Sequence, residues 1–529
     1  MCELPEKVEC KPLRTLNDVL NWKADIMDWS SLVVNLLTRA NYCYDGNSFK
    51  CHSKCTNSKQ ILNCSSPKTL LCHDMKGGYL DDRFIEGSTY NFQYLFYHWS
   101  VVDIFVYFSH YFITIPPLMW INAAHNHGVK ILGTIITEHT QGEEIWNKIL
   151  TDEDILNTFT DKLIEVCKHY RFDGYLINIE NKIDIQLLPK LITFLENFRL
   201  KMKNIGILIW YDAVSLVHGQ LRWQNELNIH NRKGFEFCDA IFLNYNWTNT
   251  NLQNSLLHAG ARQFDVYVGI DVFGRGCIGG GGYNTDIALN IIRSFGLSAA
   301  IFGFGWTHET QASDLNFFTI ERKFWMKLRP YLYIHVPNSV PFKTTFNYGI
   351  GTLSNTKILY YNLSSQSFQL SFPSCSNETT KECCVNHCFD DSFLGGSCVL
   401  LNKNSKNIET HRILLCNFVC TEESFLRFTV TAKTIYTFSP FQVILIVKND
   451  FQNFTLILDI SNEPKLAFYD DSDYSYISYL SMRINSTKKI NIDDKGWVSN
   501  EFILKFEGTI TEINVKINKP TMLGYLSLE

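Results

Sequence analysis

Asp173-Gly-Tyr-Leu-Ile-Asn-Ile-Glu180 follows an opening Asp-Gly with β-type apolar residues broken near the end by an amide and a carboxylate. Seven more runs of this kind flank it, so that eight succeed one another: Thr69–Asp74, Val102–Phe108, Lys130–Ile136, Gly174–Ile179, Ile205–Tyr211, Ala240–Tyr245, Asp265–Asp271 and Ala299–Phe304. Amphipathic stretches separate them. From Asp152 to Tyr170, for example, Ile155, Phe159, Leu163, Ile164 and Cys167 recur at helical spacing. Strands alternating with helices make a parallel sheet, and eight strands close it, so the α/β reading is a (β/α)8 TIM barrel over residues 68–335. In such a barrel, reactive groups belong at the C-terminal strand ends.

Beyond residue 340 the pattern changes to alternating β-type runs, at Phe368–Phe372, Leu426–Ala432, Gln442–Val447 and Phe454–Ile460, separated by Asn, Ser and Asp turns. One or two β-sandwich modules are expected to follow the barrel. The segments are then 1–67, with a Cys-containing insert; 68–335, the barrel; 336–420, β-rich with a Cys-rich loop; and 421–529, a sandwich.

Composition narrows the function classes. Of 529 residues, 46% are apolar and 14% aromatic, and the formal charge is only -5, with no long basic run to follow a phosphate backbone. No nucleic-acid partner is expected. The apolar stretch from Tyr94 to Ala124 is interrupted by His98, Asp103, His110 and Pro116-Pro117, which favours a buried strand and loop over a membrane span. Met1-Cys-Glu-Leu-Pro-Glu-Lys7 has no apolar core of a secretory signal, so a cytoplasmic location is expected. Of the 17 cysteines, five fall between Cys43 and Cys72 and seven between Cys375 and Cys420, without paired C-x-x-C spacing. Free thiols are therefore expected rather than disulfides or structural zinc. Sequons occur at Asn63, Asn246, Asn362, Asn377, Asn453 and Asn485; a glycan on Asn246 would obstruct the expected site rim.

Asn178 and Glu180 are two residues apart, so on a strand both side chains share one face, with Cα atoms about 6.6 Å apart. Cleaving a glycosidic bond needs an acid for the leaving oxygen and a second group to stabilise or capture the anomeric carbon. Glu180 fits the first role. Asn178 is no nucleophile, but its amide suits another amide, such as a 2-acetamido group. That suggests a substrate-assisted reaction in which the sugar's own acetamido oxygen attacks, giving an oxazoline. Trp223, Trp247 and Trp306 are candidates to stack on sugar faces, and Glu138, Asn244 and Asp271 are polar groups near strand ends that suit hydroxyls. Core packing and a barrel-top hydrogen-bond network are the competing readings. The glycine-rich Gly274–Gly282 lacks G-K-[ST] and reads as a mobile or tightly turning rim loop.

Phe172-Asp-Gly-Tyr-Leu-Ile-Asn-Ile-Glu-Asn181 resembles the catalytic segment of the endo-β-N-acetylglucosaminidases of glycoside hydrolase family 85. In order along the chain, Leu71–Phe84, Phe105–His110, Ile115-Pro-Pro117, His125–Val129, Trp210-Tyr-Asp212, Trp223–Asn228, Asn244–Trp247 and Tyr267–Arg275 agree with it. The resemblance implies cleavage between the two core N-acetylglucosamines of N-glycans on glycoproteins, glycopeptides or free oligosaccharides, with no metal or organic cofactor. It makes Glu180 the general acid/base, Asn178 the residue that positions the acetamido group, and Tyr211 a support for the intermediate. Three positions depart from the family pattern, with His139 and Tyr175 where Trp is usual and Phe304 where Pro is common. The rival readings are a chitinase-like D-G-x-D-x-D-x-E enzyme and a catalytically silent sugar-binding barrel. Leu176 and Asn178 in the two inner Asp positions argue against the first, and Glu180 against the second.

Overall fold

The structure is a computed structural model that describes residues 7–42, 66–313, 316–352, 358–371, 385–402, 409–421, 423–434, 441–449, 453–460, 466–470, 488–491 and 495–529. Cys43, Cys51, Cys55, Cys64, Cys375, Cys383 and Cys384 and the sequons at Asn63, Asn377 and Asn485 lie outside the described residues. The described cysteines are free thiols.

All eight runs form strands: β1 (Thr69–Asp74), β2 (Ile104–Phe108), β3 (Lys130–Glu138), β4 (Gly174–Glu180), β5 (Ile207–Tyr211), β6 (Ala240–Leu243), β7 (Val266–Asp271) and β8 (Ser298–Phe302). Each pairs in parallel with its neighbour in sequence, and β8 pairs with β1, so the sheet closes. Strand alternation sorts the side chains. Leu70, Cys72, Val106, Leu132, Ile136, Leu176, Ile209 and Phe242 fill the barrel, while Leu71, Phe105, Ile135, Ile177, Trp210 and Ile241 face the outer layer. Each such buried aliphatic contributes about 1.5–3 kcal/mol, which holds the register. Because Leu176 points inward, Asn178 and Glu180 do too.

Two residues at the bottom of the barrel fix where β4 begins. Asp173 accepts hydrogen bonds from the Ile131 backbone N–H (2.8 Å) and lies 2.9 Å from His125 Nε2. Gly174 has φ of 129°, and a Cβ there would come within 1.9 Å of the Ile207 carbonyl oxygen. The Asp-Gly pair therefore sets the start of the strand, whose far end carries the chemistry.

Helices follow the later strands, among them Leu118–Asn126, His139–Thr151, Glu153–Tyr170, Leu188–Met202, Asn249–Ala259, Thr285–Ser294 and Phe317–Leu328. Asp152 caps the third by accepting from the Asp154 and Ile155 N–H groups. The connection from β1 to β2 has only two 3-10 turns, Asp81–Arg83 and Trp99–Val101. In place of a helix, Ser88–Thr89 joins a three-stranded sheet with Leu359–Tyr361 and Ile350–Thr352, and Tyr361 donates its hydroxyl to the Tyr94 carbonyl. Tyr94–Ala124 is thus a turn, β2, the short strand Ile113–Thr114 and a buried helix; no described helix is long and apolar enough to cross a membrane.

Among the described residues, Arg39–Tyr42 pairs antiparallel with Ile334–Pro337, and the chain beyond them forms two larger antiparallel sheets. One holds Phe342–Thr344, Val385–Cys388, Cys398–Leu401, Leu426–Thr434, Lys488–Asn491, Val498–Leu504 and Thr521–Leu528; the other holds Glu409–Cys420, Phe441–Lys448, Asn453–Ile460, Leu466–Asp470 and Gly508–Ile517. Val430, Phe502 and Leu526 from the first and Val443, Leu456 and Ile513 from the second share one core. This is one sandwich, with strands pairing across residue 420, as Glu409 does with Ile517. The run at Phe368 is not a strand in its described part: Gln369 donates to the Asn347 and Ser367 carbonyls, so side-chain bonds replace a ladder.

Candidate active site

The mouth of the barrel is lined by the last inward residue of each strand. Asp74, Glu138, Glu180, Tyr211, Asp271 and Phe302 end their strands, and Asn244 follows β6 directly. The register between β3 and β4 sets Ile136 beside Asn178 and Glu138 beside Glu180.

Asn178 is buried, 3% exposed, and its Nδ2 donates to Glu180 Oε1 at 3.3 Å. Its Oδ1 is also buried and accepts no hydrogen bond. A buried amide oxygen left unpaired costs about 1–3 kcal/mol, so Asn178 Oδ1 at the barrel mouth is suited to accept a hydrogen bond from a bound molecule. Glu180 is partly buried, and burial raises its carboxyl above the ordinary Glu value. The hydrogen bond from Asn178 lowers it, the negative charge of Glu138 raises it further, and His110 and His139 lower it. The net rise favours the protonated form, which a general acid needs.

Tyr211 donates its hydroxyl to Asn244 Oδ1 at 3.2 Å, and Asn244 Nδ2 donates to Asn225 Oδ1 at 2.8 Å. Asn225, at φ of 57°, is held in turn by Asp212, whose Oδ2 accepts its backbone N–H at 2.7 Å and that of Gln224 at 3.0 Å. The Asn231 amide donates to Asp212 Oδ1 at 2.9 Å. Burial and the nearby Glu180 charge raise the Tyr211 phenol well above its ordinary value, so it remains a proton-bearing donor. The Asp212 carboxyl group, whose pKa burial raises to about 7, thus orients the tyrosine hydroxyl from behind the site through two asparagines.

The remaining expected residues fall into different surroundings. Glu138 faces Glu180 and lies 3.2 Å from His110 Nδ1, which holds its carboxyl below the ordinary value. Asn244 is occupied by Tyr211 and Asn225. Asp271 is fully buried and grips Arg275 through Nε at 2.9 Å and Nη2 at 3.0 Å, so it anchors the arginine rather than facing a hydroxyl. Trp247 is 2% exposed and donates its indole N–H to the Gly269 carbonyl at 2.8 Å, which leaves no face for a sugar. Trp306 is partly buried against Tyr283 and Phe324, and Gly282 is needed because a Cβ there would come within 2.9 Å of its ring. The glycine-rich loop is therefore a tightly turning one, with positive φ at Gly274, Gly276 and Gly279 through Gly282. Trp223 is the most exposed of the three tryptophans, at 40%.

Sequence reasoning gave no role to Asn225, Asp212, His110 or Arg275. Arg275 lies over the rings of Phe273 and Phe302, with its side chain largely exposed. Its spacing of four from Asp271 was the available signal.

The chain spans about half the length of the curated relatives it matches. It is 44% identical over 346 residues to the cytosolic endo-beta-N-acetylglucosaminidase of Gallus gallus, covering 64% of this chain and 47% of that one. To the protein of that name from Homo sapiens it is 42% identical over 355 residues, with the same coverages. To the one from Danio rerio it is 39% identical over 411 residues, covering 75% and 54%. The glycoside hydrolase domain of Endo-D from Streptococcus pneumoniae R6 superposes with a TM-score of 0.69 at 17% identity, covering 99% of this chain and 83% of that one; this likeness is one of fold. Residues 79–354, which hold seven of the eight barrel strands and the Asn178–Glu180 pair, match the model of glycosyl hydrolase family 85, and the chain belongs to that family.

Proposed function

We propose that this protein is an endo-β-N-acetylglucosaminidase that hydrolyses the β-1,4 bond between the two core N-acetylglucosamines of N-glycans, leaving one sugar on the protein or peptide. The observation that carries the mechanism is the buried, unpaired Asn178 Oδ1 beside the protonated-leaning Glu180. That oxygen accepts the acetamido N–H of the sugar on the non-reducing side of the bond. The acetamido oxygen then attacks the anomeric carbon as the bond to the leaving O4 breaks, and Glu180 gives its proton to that oxygen. The oxazolinium that results keeps its N–H proton, hydrogen-bonded to Asn178 Oδ1, and is supported by the Tyr211 hydroxyl. Water then adds to the anomeric carbon, Glu180 takes the water's proton, and the acetamido group is restored, so configuration is retained.

The relatives' names support a cytosolic setting for this reaction; its partners in this reading are N-glycans. Glu180→Gln is expected to abolish release of glycan from a high-mannose glycopeptide while circular dichroism stays that of the folded protein. Mass spectrometry of the wild-type products must show the peptide carrying a single N-acetylglucosamine; chitobiose release, or full activity in Glu180→Gln, ends the assignment.

A further inference from the structure

Glu138 stands beside Glu180 across the β3–β4 pairing, on the same inward face, and adjacent strands lie only about 4.8 Å apart. Two carboxylates so close invite the reading of acid plus nucleophile, but Glu138 is engaged elsewhere. Its Oε2 lies 3.2 Å from His110 Nδ1, on the exposed turn just after β2. Asn178, not Glu138, sits deeper in the barrel with a free acceptor.

We propose that Glu138 is a positioning residue for Glu180: a negative charge set across the strand pairing, and held there by His110, so that Glu180 enters the reaction as the acid. The inference rests on the assignment of Glu180 as general acid. The groups that face Glu180 are Glu138 and His139 from β3 and its following helix, His110 after β2, Tyr211 from β5 and Tyr245 after β6; Asp74 from β1 faces His110. Of these, Glu138 is the carboxylate, and the His110 contact keeps it ionised.

The pair has a built-in dependence on pH. Glu138 raises the His110 imidazole above its ordinary value, chiefly through their hydrogen bond. While His110 is protonated, its charge offsets that of Glu138. As pH rises and His110 loses its proton, the full charge of Glu138 bears on Glu180, and Glu180 holds its own proton more tightly. Glu138 thus acts in the same direction as burial, which raises the Glu180 carboxyl above its ordinary value.

The test is the pH profile of kcat/KM on a high-mannose glycopeptide for the wild type, Glu138→Gln, Glu138→Asp and His110→Ala. An acid that must be protonated gives an alkaline limb. In Glu138→Gln that limb should move to lower pH by about one unit, the size expected of one charge at this range in a partly buried site. KM should change by less than about threefold, and kcat at the new optimum should fall by no more than about tenfold. Glu138→Asp should recover part of the shift, and His110→Ala, which removes a charge that lowers the Glu180 carboxyl, should move the limb to higher pH. The opposite signs of the two variants are what a merely structural role would not produce. An unmoved limb with a raised KM would make Glu138 a hydroxyl-binding residue, and loss of activity at every pH would make it a nucleophile; either overturns the inference while leaving the enzyme assignment standing. A wild type that cuts no glycopeptide overturns both.

Discussion

Replacing Asn178 with Leu isolates the energetic signature of a residue kept for chemistry. Leucine keeps the branching at Cγ and removes both polar atoms. In the free protein, Asn178 Oδ1 is buried without a partner, at a cost of about 1–3 kcal/mol, and the bond from Nδ2 to Glu180 is long at 3.3 Å and returns about 1 kcal/mol at most. The neighbouring inward residues, Ile136 and Leu176, are apolar. The balance predicts that Asn178→Leu stabilises the fold by about 1 kcal/mol, or about 2–4 °C in Tm for a unit of this size. Hydrolysis should fall at least about 10²-fold, as when one group that stabilises developing charge is removed. The gain should also depend on pH. Glu180 is raised in the fold, so it contributes stability fully present below the ordinary Glu value and lost as pH rises through its folded value. Removing the Asn178 hydrogen bond raises it further, so the leucine variant should gain more at mildly acidic than at alkaline pH. Thermal unfolding by circular dichroism at two pH values, with product mass spectrometry on the same preparations, measures all three. A variant that loses more than about 2 kcal/mol, or that retains near wild-type turnover, refutes the reasoning.

Trp247→Ala should destabilise by about 3–5 kcal/mol through the cavity it leaves, whereas Trp223→Ala should leave Tm nearly unchanged and raise KM. Comparing melting with steady-state kinetics separates the two tryptophans. Asn244→Ala and Tyr211→Phe should each lower kcat by about tenfold, and their double mutant should show coupling of about 1 kcal/mol, because both changes break the one hydroxyl-to-amide contact; full additivity would disconnect them.

The barrel was readable because its signal is local. Eight β-rich runs with helical stretches between them set the class, and the period of two in β4 decided that Asn178 and Glu180 share the inward face with Leu176. The missing first helix was not readable, because its place is filled by Leu359–Tyr361, far along the chain. The run at Phe368 looked like a strand from composition but found side-chain partners instead of a ladder.

The site divided in the same way. The sequence by itself determined that an amide and a carboxylate end one inward face, since alternation along a single strand needs no other part of the chain. Only the tertiary structure decided which polar residue meets which. Asp271 met Arg275 and Trp247 met the Gly269 carbonyl. Asn225 linked Asp212 to Asn244 and Tyr211, and Glu138 came to rest between His110 and Glu180. Those contacts depend on the register between strands and on where the loops after them bring Asn225 and Arg275, and neither is encoded in the periodicity of any one segment.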